Sequence, residues 1–254
     1  MRLKAHRSVT ALQKVLEGWG EVIAVGLHSP GDDVYDPYFS LNLDVYTAAP
    51  LRDTDARIRA FGDVGAFESS SLTNKDRFLM GETPVRVEYK RVGRFDELVD
   101  AAVRGECLLR DGGTYSFYRV ASAEPLLSRQ GWLEALQKRL IGLPARFWSE
   151  LRRSQEATAE HLYADLAAAA MRNDGFFFAT SSGRFLSQIC GLLFTINERF
   201  EPSPRTLFGD TLELPTIPES FASNMENFVD IDRPLSMSQR QELAQIMITG
   251  VLSL

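Results

Sequence analysis

Apolar residues recur along this chain with two different periods, and the change from one to the other organises it. Near the N-terminus Val9, Leu12, Val15 and Leu16 fall on one helical face, with Ser8 as the candidate cap and Gly18 and Gly20 as the stop. The run Glu21 to Leu27 is short, apolar and rich in β-branched residues, which predicts a buried strand. A polar loop follows from His28 to Pro37. Residues Tyr38 to Thr47 then alternate: Phe39, Leu41, Leu43 and Val45 point one way, and Ser40, Asn42, Asp44 and Tyr46 the other. Thr54 to Phe61 reads as a helix. Pro84 to Val92 alternates again, with Val85, Val87 and Tyr89 opposite Arg86, Glu88 and Lys90, and Phe95 to Val103 reads as a helix. Strands interleaved with helices predict an α/β layer.

Beyond the turn Asp111-Gly112-Gly113 the strong signals become helical. Phe185, Ile189, Leu192, Ile196 and Phe200 recur at three- and four-residue steps. Pro144 to Met171 is a long helical stretch with the proline in a first-turn position. Ser236 with Gln239 forms a capping box for a last helix to about Leu252. The proline-rich segment 201–220 reads as a loop with a short helical turn. A cut near residue 110 therefore predicts an α/β domain over 1–110 and a helical domain over 111–254. Phe176, Phe177, Phe178 and the tryptophans read as packing residues.

Composition narrows the function classes. The chain has 254 residues, 44% hydrophobic and 24% charged, which is a folded, globular composition. Its formal net charge of -6 argues against broad nucleic-acid binding, which needs clustered positive charge. Cys107 and Cys190 make neither a disulfide framework nor a metal spacing. The longest apolar run, Ile189 to Ile196, is far short of the roughly 20 residues that span a bilayer, and the first residues lack a signal-peptide pattern. A cytoplasmic protein with no membrane partner is the expectation.

The polar face of the second strand carries the most informative chemistry. Asn42 and Asp44, two residues apart, point to one side, and Glu88 lies on the polar face of another strand. Were the two strands neighbours, three oxygen ligands would converge. Magnesium takes one or two carboxylates together with substrate phosphates and water, and a further carboxylate can accept a proton from an attacking hydroxyl. The plainer reading is a set of polar side chains on the solvent side of half-exposed strands. The small-residue loop from Gly26 through Ser29 to Gly31 offers backbone N–H groups and a hydroxyl to phosphates, but it lacks the GK[ST] ending of a Walker loop.

In that order, VGLHSPG, SLNLDVYT and VRVEYK resemble the motifs of the nucleotidyltransferase superfamily. The stretch LLFTINERFEPSPRTLF followed by LELPTIPESF is similar to the helical region of a family of uncharacterised proteins that carry this domain. The resemblance implies a small mixed sheet with flanking helices followed by an all-helical domain. It implies Mg²⁺ and a nucleoside triphosphate, ATP above all, and transfer of AMP to the hydroxyl of an unidentified acceptor. By the same resemblance Gly26 and Ser29 cradle phosphates, Asn42, Asp44 and Glu88 hold the metal, and Asp44 and Glu88 carry the catalysis. The same resemblance implies that Asn197, Arg199 and Arg205 border the nucleotide; Lys90, on the polar face of its strand, is a candidate phosphate contact or a solvated surface charge.

Two departures from the pattern open a second expectation. Gly26 is followed by Leu27 instead of a serine or glycine, and the first acid of the metal pair is Asn42. An amide brings no charge, which weakens a dication site by several kcal/mol at an effective dielectric of about 20. Either Asp32, Asp33 or Asp36 compensates, or the chain is a degenerate transferase acting as a nucleotide-binding or protein-interaction module. Lys75 and Arg77 are candidate phosphate contacts or locally paired surface charges. The basic stretch Lys138, Arg139, Arg146, Arg152 and Arg153 is either a guide for an anionic acceptor or a solvated helix face. His28 reads as a loop histidine.

Overall fold

The structure is a computed structural model, and it describes residues 2–28, 39–70, 72, 74–106 and 113–254. The chain divides into two compact units. One comprises Met1–Asp100 with Arg119–Gly142, and the other Ala101–Tyr118 with Leu143–Leu254. A single cut at residue 110 does not describe this partition, because a strand downstream of the expected boundary returns to the sheet.

The first unit is built on a six-stranded mixed sheet in the order β3-β4-β5-β2-β1-β6. Its strands are β1 (Val22–His28), β2 (Leu41–Thr47), β3 (Gly65–Ser70), β4 (Lys75–Met80), β5 (Thr83–Arg91) and β6 (Glu124–Ser128). β2 and β5 are parallel neighbours at the centre, and the other pairs are antiparallel. The alternating runs therefore sit innermost, where each must bury a face. β3, β4 and β6 had no pattern to announce them. β3 is almost wholly exposed and β6 has no fully buried residue. Such strands are defined by the edge they pair with, not by a stripe of their own.

Helices cover both faces. On one side α1 (Arg2–Glu17) and α2 (Thr54–Phe61) close a core of Leu12, Leu16, Trp19, Phe61, Val25, Leu43, Val45, Phe78, Val87 and Tyr89. α1 begins well before Ser8, which is buried inside it instead of capping it. The N-terminal cap of α2 is Asp53, whose carboxylate accepts the Ala56 N–H at 2.7 Å. On the opposite side lie α3 (Val92–Val103), α4 (Tyr115–Ala121) and α5 (Trp132–Ile141). α3 brings Phe95 edge-on to Tyr46, and α5 brings Trp132 and Leu133 over β1 and β2.

The apolar face also buries an ion pair. Asp76 is 0% exposed and binds Arg57 through both oxygens, at 2.8 and 3.0 Å, while the Tyr89 hydroxyl donates to it at 2.8 Å. Arg57 spends its remaining N–H groups on Ser69 at 2.8 Å, on Thr54, and on the Arg52 carbonyl. Every charge in this knot is met, so it reads as structural.

The second unit holds the long hairpin α6 (Ala145–Arg172) and α7 (Gly175–Ile196), with α8 (Leu207–Leu212), α9 (Phe221–Val229) and α10 (Met237–Leu252) packed on it. Its core joins Leu162, Leu166, Phe185, Ile189, Leu192, Phe221 and Met247. Ser236 and Gln239 make the reciprocal capping box that starts α10. Phe200 lies beyond the end of α7 and packs on Phe117 and Trp148. Of the three adjacent phenylalanines, Phe178 is buried and Phe176 is exposed. No helix among the described residues is long and apolar enough to cross a membrane.

Replacing Arg57 by Met is expected to destabilise the protein by about 3–5 kcal/mol, since a buried carboxylate loses its partner. Chemical denaturation measures this. Adding Asp76→Leu in the same chain should recover most of the loss.

Candidate functional site

β2 lies between β1 and β5, and the register sets the site. Gly26 lies opposite Asp44 and His28 opposite Asn42 across β1–β2, while Asn42 faces Arg86, Asp44 faces Glu88 and Tyr46 faces Lys90 across β2–β5. All of these project from the sheet face covered by α3, α4 and α5. Asp44 and Glu88, far apart in sequence, are thus side by side.

Asp44 is the centre. It is 0% exposed. Lys90 Nζ donates to its Oδ2 at 2.7 Å. From α4, Arg119 grips both oxygens, Nε to Oδ2 at 3.0 Å and Nη2 to Oδ1 at 2.5 Å. His28 Nε2 lies 3.2 Å from Oδ2. Burial opposes ionisation of this carboxyl, but Lys90, His28 and Arg119 together override it and hold it far below the usual carboxylate range. His28 is shifted down, chiefly by burial, with the pull of Asp44 only partly offsetting it and Arg119 and Lys90 adding to the depression. The cluster is therefore one carboxylate against two fixed cations, with a neutral imidazole. His28, Lys90 and Arg119 each keep 11–13% of their side-chain surface exposed, so the cations reach solvent where Asp44 does not.

The remaining sequence-predicted residues fall out as follows. Asn42 shares the face of Asp44, but its side chain is taken up by Ser40: its amide oxygen accepts from the Ser40 hydroxyl at 3.2 Å and its amide group donates to the Ser40 carbonyl at 3.0 Å. Glu88 is partly exposed and paired with Lys75 at 3.3 Å. Gly26 is not in a loop. It lies within β1, paired on both sides, and a Cβ there would come 2.8 Å from Ala123 Cβ. Its smallness lets Ala123 and α5 close on the sheet, which corrects the phosphate-cradle expectation for this residue. Ser29, Asp32, Asp33 and Asp36 lie outside the described residues.

Asn197, Arg199 and Arg205 belong to the second unit. The Asn197 amide donates to the Leu193 and Thr216 carbonyls, both at 2.8 Å, and accepts the Thr216 N–H at 2.9 Å, so it pins the following loop to the end of α7. Arg199 is exposed just past that helix. In the basic stretch Arg139 pairs with Asp100, Arg152 with Glu156 and Arg153 with Glu150, the pattern of solvated helix faces. Arg119 escaped sequence reasoning, because a lone arginine in TYSFYRV gives no periodic or motif signal. His28, a loop histidine by sequence pattern, is the last residue of β1.

These donors do not fit Mg²⁺ as they are arranged. The Asn42 oxygen is engaged by Ser40, both Asp44 oxygens are engaged by cations, and two fixed positive charges repel a dication placed among them. Among the described residues no group of three or more His, Cys, Asp or Glu side chains is arranged to hold a metal.

No protein-family model and no curated protein matches the chain. Among solved structures it is similar to a nucleotidyltransferase-like protein from Exiguobacterium sibiricum, with a TM-score of 0.52 and 12% identity over 97% of this chain and 74% of that one. At that identity the likeness shows the fold alone. The chain has a nucleotidyltransferase-like fold, with a six-stranded mixed sheet, flanking helices and a helical C-terminal region.

Gly26→Ala should cost about 1–3 kcal/mol in chemical denaturation, because Ala123 must move for the new methyl. His28 supplies a pH effect. Its folded pKa is below the ordinary 6.5, so the unfolded chain binds more protons and stability declines as pH falls through and below 6.5. Asp44 contributes loss only below the ordinary 3.8, because its pKa is also depressed. His28→Gln should therefore flatten the stability profile between pH 7 and 5 and leave the steeper fall below pH 4.

Proposed function

We propose that this protein binds a nucleotide through its phosphates at the exposed edges of Lys90, Arg119 and His28, without a metal ion and without turnover. The single observation that carries this reading is the double compensation of Asp44. One buried carboxylate holds two cations, Lys90 and Arg119, and each of them keeps part of its side chain exposed to solvent. Charge-assisted bonds from a lysine and a planar guanidinium suit phosphate oxygens. The surrounding face adds Lys75, Arg77 and Arg86 on β4 and β5, against Glu68 and Glu88, within a chain whose net charge is -6. The likeness in fold to a nucleotidyltransferase-like protein supports a nucleotide as the carrier of those phosphates.

In this arrangement Asp44 is a positioning residue. It holds Lys90 and Arg119 in place so that little side-chain entropy is lost on binding.

A second reading, transfer of a nucleoside monophosphate to an acceptor hydroxyl, is favoured by the register that sets Asp44 beside Glu88. It requires Asp44 to leave its cations.

Calorimetric titration with ATP, CTP, GTP and UTP, each in EDTA and in Mg²⁺, separates the two. Binding in EDTA that is equal to or stronger than binding in Mg²⁺ is expected, with no pyrophosphate released from α-labelled ATP. Lys90→Gln and Arg119→Gln should each weaken binding roughly tenfold or more. Binding that strictly needs Mg²⁺, or no binding of any nucleotide, sinks the proposal. Pyrophosphate release that disappears in Asp44→Ala establishes the second reading in its place.

A further inference from the structure

Glu201 closes a joint between segments 87 residues apart in the chain. Its backbone N–H donates to the Thr114 hydroxyl at 2.8 Å, and its Oε1 accepts the Thr114 N–H at 3.2 Å. The Tyr115 N–H also bonds to the carboxyl. Thr114 is 1% exposed, and its carbonyl accepts the N–H groups of Phe117 and Tyr118 in the first turn of α4. Glu201 and Thr114 thus bond reciprocally where α4 starts, as the two ends of a capping box do, but across the fold. All of these residues belong to the second unit.

Two glycines make room for the carboxyl. A Cβ on Gly113 would come 2.5 Å from Oε1, and one on Gly191, in α7, 2.7 Å from Oε2. Next to Glu201 in the chain, Phe200 packs on Phe117 and Trp148, with ring centroids 5.6 and 5.3 Å away.

The charged groups around this joint have other places. Arg184, the one charged residue of α7, is exposed two turns before Gly191. On α6, Arg146 lies against Gly105, Arg152 pairs with Glu156, and Glu150 with Arg153. α4 carries the phenols of Tyr115 and Tyr118, and Arg119, which Asp44 holds. Beside Glu201 itself, Glu198, Arg199 and Arg205 are exposed. Arg110 and Asp111 lie outside the described residues. Burial raises the Glu201 carboxyl above its ordinary 4.5 and outweighs the Thr114 and Tyr115 N–H groups, which lower it. The closed joint therefore holds a proton more tightly than an opened, solvated carboxyl does. Its contribution is complete below pH 4.5 and is lost as pH rises through the raised value. Glu201 is half-buried, so the proton has access from water.

We infer that Glu201 is a proton-operated latch: neutral, it fastens the start of α4 to the end of α7, and ionised, it lets that joint open. The inference stands independently of nucleotide binding.

The test is hydrogen exchange of the Thr114 and Tyr115 amides from pH 4.5 to 8, in the full chain and in Glu201→Gln, which keeps the shape and an acceptor oxygen. Taking the ratio of the two proteins' rates at each pH cancels the intrinsic exchange chemistry and the titration of His28. The parent is expected to exchange progressively faster than Glu201→Gln as pH rises. The change is at most about tenfold per pH unit, the limit for one proton, and levels off once the carboxyl is ionised. In the parent alone, protection corrected for intrinsic chemistry should fall over the same range, which decides the matter even where the variant folds poorly. A ratio that stays constant, or corrected protection that holds steady, overturns the inference. So does a parent that becomes better protected than Glu201→Gln as pH rises, since the carboxylate would then be an ordinary anionic cap. Amides unprotected in the parent at every pH overturn it as well, because there would be no latch to release.

Discussion

A carboxylate taken wholly out of water is costly, and the polar side of this sheet is organised around one. Asp44 stays ionised because Lys90 reaches it from the neighbouring strand and Arg119 from α4, a helix 75 residues further along the chain. Much else on that face serves this contact. Gly26 has no side chain, so Ala123 and α5 can close against the sheet next to α4. Lys90 extends over Tyr46 and Phe95, whose ring faces favour a cation. His28 stays neutral, so it adds no third positive charge.

The two faces of the sheet each bury an aspartate, and comparing them separates structure from candidate function. Asp76 has Arg57 and Tyr89 as partners, and Arg57 has further acceptors for its other N–H groups. Charge and hydrogen bonds balance there. Around Asp44, the side chains of Lys90 and Arg119 are partly exposed, and the nearby Tyr46 phenol has no hydrogen-bond partner.

The chain shares its fold with a nucleotidyltransferase-like protein, but a shared fold does not fix the chemistry of a site. The strands that carry Asp44 and Glu88 lie side by side, which is the backbone arrangement. Side chains decide the electrostatics. Asn42 is bonded to Ser40, Glu88 to Lys75, and Asp44 to Lys90 and Arg119, so each of these side chains is engaged within the protein.

Local pattern alone determined the central elements. β1, β2 and β5 each bury at least one face, so apolar alternation or a β-branched run marks them, and the α6–α7 hairpin and the capped α10 are visible in helical spacing and in Ser236 with Gln239. It also marked Asp44, Glu88 and Lys90 as polar residues on one side of their strands. Only tertiary structure decided that β3, β4 and β6 are strands: the edges β3 and β6 are weakly buried and leave no period in the sequence, and β4 buries a charged residue, Asp76, where an apolar one would mark the pattern. Only it brought Arg119 and His28 to Asp44, left Tyr46 without a partner, and assigned Gly26 to packing. Each of these depends on which distant segments become neighbours, and the charge of a site is the sum of such neighbours, which no local spacing encodes.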